Sequence, residues 1–191
     1  MKAPTTGNKA TDILILVIGA LVVWQIFRIL KGIGDTIGES RKIDEGADEA
    51  RTSKYFNPAF WTDTIPLLRK LFGNIEPSAG ASLLFGKGIS WYSNAAKEIY
   101  DAKSGVRIGT FGIGSGDNEE AVIDLFKKTN SQLEISLLCS AFAATYKRDL
   151  FGYLDSFMKN RTIVSLKDIA DKKNLYPAAV VAQAKNKGIK I

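Results

Sequence analysis

The chain of 191 residues contains no histidine and only one cysteine, and these absences exclude several kinds of site. Without histidine there can be no Ser-His or Cys-His nucleophile and no histidine-bound metal, so only carboxylates, lysines and tyrosines remain as candidate catalysts. Cys139 cannot form an internal disulfide, and its place in an apolar helical pattern favours a buried structural thiol over a nucleophile. The sequence shows no converging catalytic set and no metal-ligand spacing. We therefore expect no enzymatic activity, no metal and no cofactor.

The formal net charge of +6 is concentrated in residues 159–191. This segment has only Asp168 and Asp171 as acids, whereas acidic and basic side chains balance in the rest of the chain. Such a basic segment suits non-specific contact with nucleic acid or with anionic lipid, and the alternative is a solvated lysine-rich face. The candidate contact residues are Lys159, Arg161, Lys167, Lys172, Lys173, Lys185, Lys187 and Lys190.

Residues 13–30 form the most hydrophobic window of the sequence and predict a transmembrane helix. Eighteen helical residues would extend about 27 Å, close to the hydrocarbon thickness of about 30 Å. Trp24 and Arg28 lie near one end, where they suit the membrane interface. A cleaved signal peptide is disfavoured because no small-x-small cleavage site follows, and a buried or oligomer-forming helix is a third alternative. We expect a single-pass membrane protein, in a virion membrane or a host inner membrane, and flanking charges weakly favour the C-terminal part inside.

Five further segments lie before or after this window. Residues 1–12 predict an N-terminal tail, and the polar residues 31–54 predict a juxtamembrane linker or a partly helical stalk. An aromatic patch at 55–61 would contact either the membrane interface or the core, and it leads to a short amphipathic helix over 64–72 with a proline in its first turn. Residues 73–90 predict a loop.

Residues 90–158 predict a series of helices. Trp91, Ala95, Ile99 and Ala102 recur at helical spacing, and a long glycine-rich turn follows at 103–116. Three later helices are predicted from capping patterns and apolar stripes. Their predicted first residues or caps are Asp117 with Glu120, Thr129 with Gln132, and Asp149.

Residues 159–191 predict two short helices, with Ser165 capping the first and Pro177 opening the second. A strand-like end is predicted at 188–191. The pair resembles a helix-turn-helix, and the alternative is a helical cap packed on the preceding domain.

The segment 91–158 resembles a single annexin repeat, a five-helix unit. Gly114-Ser115-Gly116 with Glu119, Glu120 and Ala121 is similar to the first loop of that repeat, and Lys147-Arg148-Asp149-Leu150 is similar to the start of a later helix. Asp117 and Asn118 stand where the family has Thr-Asp. Lone units of this style also resemble uncharacterised membrane or virion proteins of bacteriophages.

The annexin resemblance implies calcium binding by loop carbonyls and one later carboxylate, which together would support phospholipid binding. The position expected for that carboxylate falls at Ser156, next to Asp155. The alternative is that the glycines form a turn and the acids stabilise a helix N-terminus, and this is the interpretation that we expect.

Taken together, these patterns predict a mostly α protein with an N-terminal transmembrane helix (13–30), an annexin-like helical domain (55–158) and a basic helical pair (159–191). The predicted function is that of a non-enzymatic virion membrane protein that links a lipid membrane to a capsid or a genome, with capsid protein or a second copy as possible partners. A calcium-dependent phospholipid-binding module is the alternative. A hydrolase that uses Glu119 or Glu120 is disfavoured, because adjacent helical residues point to different sides.

Overall fold

The structure, a computed structural model, describes residues 39–73, 77–103, 106–109, 112–115 and 117–191. The chain divides into two units, residues 1–44 and residues 45–191. In the first unit the described residues are 39–44, which are helical. The predicted tail at 1–12 and the predicted span at 13–30 lie outside the described residues. Across the ranges that are described, no helix combines the length and the hydrophobicity needed to cross a bilayer.

The second unit is mostly helical, which confirms the predicted class. Its first helix, α1, covers residues 45–52. A 3-10 turn (Lys54–Phe56) follows, and then come α2 (Pro58–Phe72), α3 (Pro77–Phe85), α4 (Ile89–Ala102), β1 (Val106–Gly109), β2 (Gly112–Ser115), α5 (Glu119–Lys128), α6 (Gln132–Tyr146), α7 (Leu150–Asp155), α8 (Asn160–Asp171) and α9 (Ala178–Asn186). The two strands form an antiparallel hairpin in which Ile108 lies opposite Ile113.

Helix α6 lies at the centre of this unit and packs against α2, α4 and the 3-10 turn. Seven consecutive residues, 133–139, are buried, so this part of the helix is covered by protein all round, whereas Ala144 and Thr145 near its C-terminal end are exposed. A helix that is buried on every side cannot leave a polar group to water, and each such group needs a partner inside the fold. One is Ser136, whose hydroxyl accepts from the Trp61 amide at 2.9 Å and donates to the Asn57 carbonyl at 2.6 Å.

The aromatic patch at 55–61 belongs to the core. Tyr55, Phe56 and Trp61 are buried, and the ring of Phe56 lies 5.8 Å from Phe126 and 4.8 Å from Phe151. These contacts connect the 3-10 turn to α5 and α7. Of the two alternatives for this patch, the structure therefore supports the core over the membrane interface.

Three predictions about the first half of the unit were wrong. Helix α2 begins at Pro58, with Asn57 as its cap, so Pro66 lies inside the helix and not in its first turn. The region 73–90 is not all loop, because residues 77–85 are helical. The glycine-rich stretch 103–116 contains the β1–β2 hairpin in place of a continuous turn.

Several predicted caps also moved. Asn118 caps α5 in place of Asp117, and Ser131 caps α6 in place of Thr129, whereas Asp149 caps α7 as predicted. Ser165 lies inside α8, which begins five residues earlier at Asn160. Short polar side chains stood next to each other at these helix starts, and the sequence pattern alone could not choose between neighbours.

The end of α9 is a glycine-terminated turn, so the prediction of a strand at 188–191 was wrong. The Ile189 amide donates to the Ala184 carbonyl at 2.9 Å, and the Gly188 amide donates to Lys185 at 3.1 Å. This pair of bonds is the Schellman pattern, and it requires the positive φ of 63° that Gly188 adopts. Ile189 is thereby turned back onto the core.

Gly46 allows α1 to pack closely on α8. A Cβ atom at Gly46 would lie 3.1 Å from a methyl group of Val164, tighter than an ordinary contact. Glycine has a low helix propensity, and the close approach of α1 to α8 explains its presence within α1.

Helix α6 ends at Lys147, which has φ 54° and ψ 33°, a left-handed conformation that glycine normally occupies. We predict that Lys147→Gly raises the free energy of unfolding by about 1 kcal/mol, because glycine removes the clash of the Cβ atom in this conformation. Urea denaturation measures the difference. Lys147→Ala is the matched control, since alanine keeps the Cβ atom and should not stabilise. Equal effects of the two substitutions would contradict the prediction.

Candidate anionic-surface interface

The eight basic residues of 159–191 do not form one surface, because two of those near α8 are used inside the fold. Lys167 forms an ion pair with Asp171 at 2.6 Å and a longer one with Glu49 of α1 at 3.4 Å. The hydroxyl of Tyr55 also donates to Asp171, at 2.5 Å. Lys167 therefore helps to hold α1, the 3-10 turn and α8 together.

Lys173 is the second internal cation. Its ammonium donates to the carbonyl of Thr129 and, at 3.3 Å, to the carbonyl of Lys127. Burial lowers the pKa of Lys173, although the charge of Glu134 acts in the opposite direction. Through its two hydrogen bonds, the Lys173 ammonium satisfies carbonyl groups at the C-terminal end of α5, where the helix dipole is negative.

Lys159, Arg161 and Lys172 are exposed. Lys159 and Lys172 cap opposite ends of α8, a helix of 12 residues, and so lie roughly 18 Å apart. Exposed Asp168 belongs to the same helix. These cations are dispersed and mixed with an acid, which is the pattern of an ordinary solvated face.

The cations near the C-terminal end of α9 are not dispersed in this way, because that end lies against the C-terminal end of α2. The Gln183 side chain donates to the Leu71 carbonyl, and the Lys187 ammonium donates to the Lys70 carbonyl, both at 3.1 Å. Two helix C-termini therefore meet, and their negative dipole ends favour cations.

This meeting of helix ends gathers five exposed cations, which we call the cationic end. No Asp or Glu occurs between Lys172 and Ile191, or between Thr64 and Ile75, so the sequence places no acid within the two segments that build it. Sequence analysis identified only the three cations of the α9 segment and missed the two on α2. The cationic end consists of Arg69, Lys70, Lys185, Lys187 and Lys190.

A groove of about 550 Å³ adjoins the cationic end. One stripe of α9 forms its floor, since Ala178, Val181, Ala182 and Lys185 follow one another at helical spacing. Residues 174–176 and Ile191 complete the lining. Val181 is 47% exposed and Ile191 48% exposed, so the groove presents aliphatic surface beside lysines.

The most deeply buried charge of the described residues is Glu134 in the first turn of α6. Its Oε1 accepts from Lys87 at 2.6 Å and from Tyr92 at 3.0 Å, and its Oε2 accepts from the Asn130 amide at 2.5 Å. Burial and the neighbouring carboxylate raise the pKa of Tyr92 above its usual range, so its hydroxyl remains a donor. Both oxygens of this carboxylate accept hydrogen bonds from protein groups, so the cluster stabilises the core.

The residues considered for calcium or hydrolysis are distributed as follows. Asp155 pairs with Arg51 at 2.5 Å. Glu119 accepts a hydrogen bond from Thr162, and Glu120 is exposed. Gly116 lies outside the described residues, and over the part of the chain that is described no three carboxylates or cysteines gather as a metal site would require. Cys139 is fully buried, and burial raises the pKa of its thiol.

Comparison with known proteins yields no match, whether to a protein family, to a curated protein or to a solved structure.

The Tyr55–Asp171 hydrogen bond predicts a pH dependence of stability. Burial, followed by the bond to Asp171, raises the pKa of Tyr55 from 10.0 to about 12. The folded state thus holds this proton more tightly than the unfolded state, and the stabilisation is complete below pH 10.0 and lost as the pH rises towards 12. We expect Tyr55→Phe to lower the free energy of unfolding by about 1 kcal/mol at neutral pH. The difference in free energy of unfolding between the variant and the parent chain should become smaller as the pH rises towards 12. Urea denaturation across this range measures it, and a constant difference would contradict the assignment.

The Lys87–Glu134 pair predicts a large effect of removing one partner. The Glu134 side chain is 0% exposed, so Lys87→Met leaves a buried carboxylate without its countercharge. We expect the free energy of unfolding to fall by about 3 kcal/mol. The double variant Lys87→Met/Glu134→Gln should recover part of that loss, because no buried charge remains.

Lys97→Met is the matched control for this substitution, because Lys97 and its partner Asp101 are exposed. Equal losses from Lys87→Met and Lys97→Met in chemical denaturation would show that the buried pair has no special role.

Proposed function

We propose that this protein is a non-enzymatic, membrane-anchored interaction protein, which in a virion links a lipid membrane to a capsid or a genome. The observation that carries the proposal is the cationic end of the folded unit, which gathers five exposed cations in segments that lack acids. An annexin-like arrangement of the helices in residues 91–158 belongs to the proposal as the scaffold that presents this surface.

The anchor is supported by residues 13–30, whose hydrophobic side chains are interrupted only near one end by Gln25 and Arg28. Such a window is long enough to cross a bilayer as a helix. An anchor and a separate polyanion-binding surface on one chain are the two features that a linking protein requires.

A binding role is also supported by how the polar groups of the described core are used. The carboxylate of Glu134 is enclosed by its three donors, and Asp155 and Asp171 are paired with Arg51 and Lys167. Groups that are saturated by protein partners hold a fold together and are not poised to transfer protons to a substrate.

The anchor is tested by charged substitutions in the hydrophobic window. We expect the full chain to remain in the membrane pellet after an alkaline carbonate wash. Ile18→Arg with Leu21→Arg should release it, because each arginine costs about 3 kcal/mol at the centre of a spanning helix.

Thr11→Arg is the matched control for the anchor, since it adds the same charge outside the window and should not release the chain. Release of the parent chain by the carbonate wash would contradict the proposal.

A further inference from the structure

We infer that the cationic end and the adjoining groove dock on a lipid bilayer that contains anionic headgroups. The lysines would contact the headgroups, and the exposed aliphatic side chains would enter the interfacial layer. This inference rests on the proposed function, because it names the class of anionic surface that the folded unit holds.

Aliphatic side chains lie among the lysines of this surface. Val181 and Lys185 are one helical turn apart on the same stripe of α9, and Ile191 lines the same groove directly after Lys190. Val181 and Ile191 are about half exposed, and they belong to the few large apolar side chains that lie in the open among the described residues. Aliphatic groups beside lysines on one face are the feature of helices that lie in a membrane interface.

The charge of this surface is complementary to that of an anionic bilayer. Lys185 lines the groove, exposed Lys190 directly precedes Ile191 of its lining, and Lys187 reaches the carbonyl of Lys70 at the same end of α9. Anionic lipid attracts basic residues by about 1 kcal/mol for each Lys or Arg near the surface. The absence of Asp and Glu from 172–191 means that no acid within this segment opposes the attraction.

The side chains of the groove suit a bilayer better than nucleic acid. Proteins that hold single strands present aromatic rings on which bases stack, and proteins that hold duplexes present hydrogen-bonding side chains to the grooves. Here the groove contains one aromatic residue, Tyr176, whose ring lies 6.2 Å from Phe60, and its open surface is aliphatic. Aliphatic surface gains free energy in the bilayer interface and gains little against a phosphate backbone.

The test uses residues 45–191, which form a compact unit with their own core, so that the hydrophobic window cannot contribute. Sedimentation measures binding to vesicles of phosphatidylcholine mixed with phosphatidylglycerol and to vesicles of pure phosphatidylcholine. Duplex DNA binding is measured in parallel by fluorescence anisotropy. We expect binding to the mixed vesicles at low salt, loss of that binding at high salt, and weak binding to pure phosphatidylcholine.

Two double variants divide the contributions. Lys185→Gln with Lys190→Gln should weaken binding to mixed vesicles by roughly 30-fold, at about fivefold for each lysine. Val181→Ser with Ile191→Ser should weaken it by roughly tenfold and leave any DNA binding unchanged.

Matched controls lie elsewhere in the unit. Leu83→Ser alters a side chain that is 57% exposed on α3, and Lys97→Gln removes an exposed lysine of α4. Neither should alter vesicle binding, and circular dichroism confirms that each variant keeps its helices.

The outcomes distinguish the inference from the function on which it rests. Binding to DNA with no binding to mixed vesicles would overturn the bilayer assignment and retain an anionic partner. Vesicle binding that is unaffected by the serine variants would also overturn it. Binding to neither at low salt would overturn the inference and remove the anionic partner from the proposed function, whereas the carbonate wash tests the anchor independently.

Discussion

The fold depends on the burial of residues 133–139 of α6 on all sides, and on the single carboxylate that this burial encloses. Within the core, Lys87, Tyr92 and the Asn130 amide converge on the carboxylate of Glu134. Those donors come from the segment before α4, from α4 itself and from the loop before α6. Satisfying one charge therefore fixes the relative positions of three parts of the chain.

The same requirement explains how the cations of the folded unit are distributed. Lys87, Lys167, Lys173 and Arg51 bind carboxylates or helix-end carbonyls within the fold. Lys187 also donates to a helix-end carbonyl, that of Lys70, but its side chain remains exposed. The cations at the joined ends of α2 and α9 face no acid from their own segments, and the helix dipoles help to hold them together. The net charge of residues 159–191 is thus divided in space between cations that are paired within the fold and the exposed cations of the cationic end.

Local patterns in the sequence predicted the helical class and the buried faces of some helices, but often misplaced the helix ends. The spacing of Ala95, Ile99 and Ala102 identified the buried face of α4, and Asp149 was identified as the cap of α7. Helix α3 was missed because Gly80 and the neighbouring glycines suggested a loop, whereas tertiary packing overrides such a weak local preference. Of the cationic end, only the three cations of the α9 segment could be predicted, because the contact that adds the end of α2 joins Lys70 to Lys187 across 117 positions of sequence. Only the Ser131–Glu134 spacing, a capping-box pattern, offered a signal for the buried carboxylate.

The central claim is that one face of the folded unit, at the groove of α9, meets a bilayer. Because Cys139 is fully buried, Val181→Cys can be labelled selectively with an environment-sensitive fluorophore, and Lys97→Cys supplies a reference position on α4. The account predicts that anionic vesicles shift the emission of the probe at position 181 to shorter wavelength and that brominated lipids quench it, while the probe at position 97 does not respond. An equal response at both positions, or none at position 181 while the unit is bound, would contradict the account.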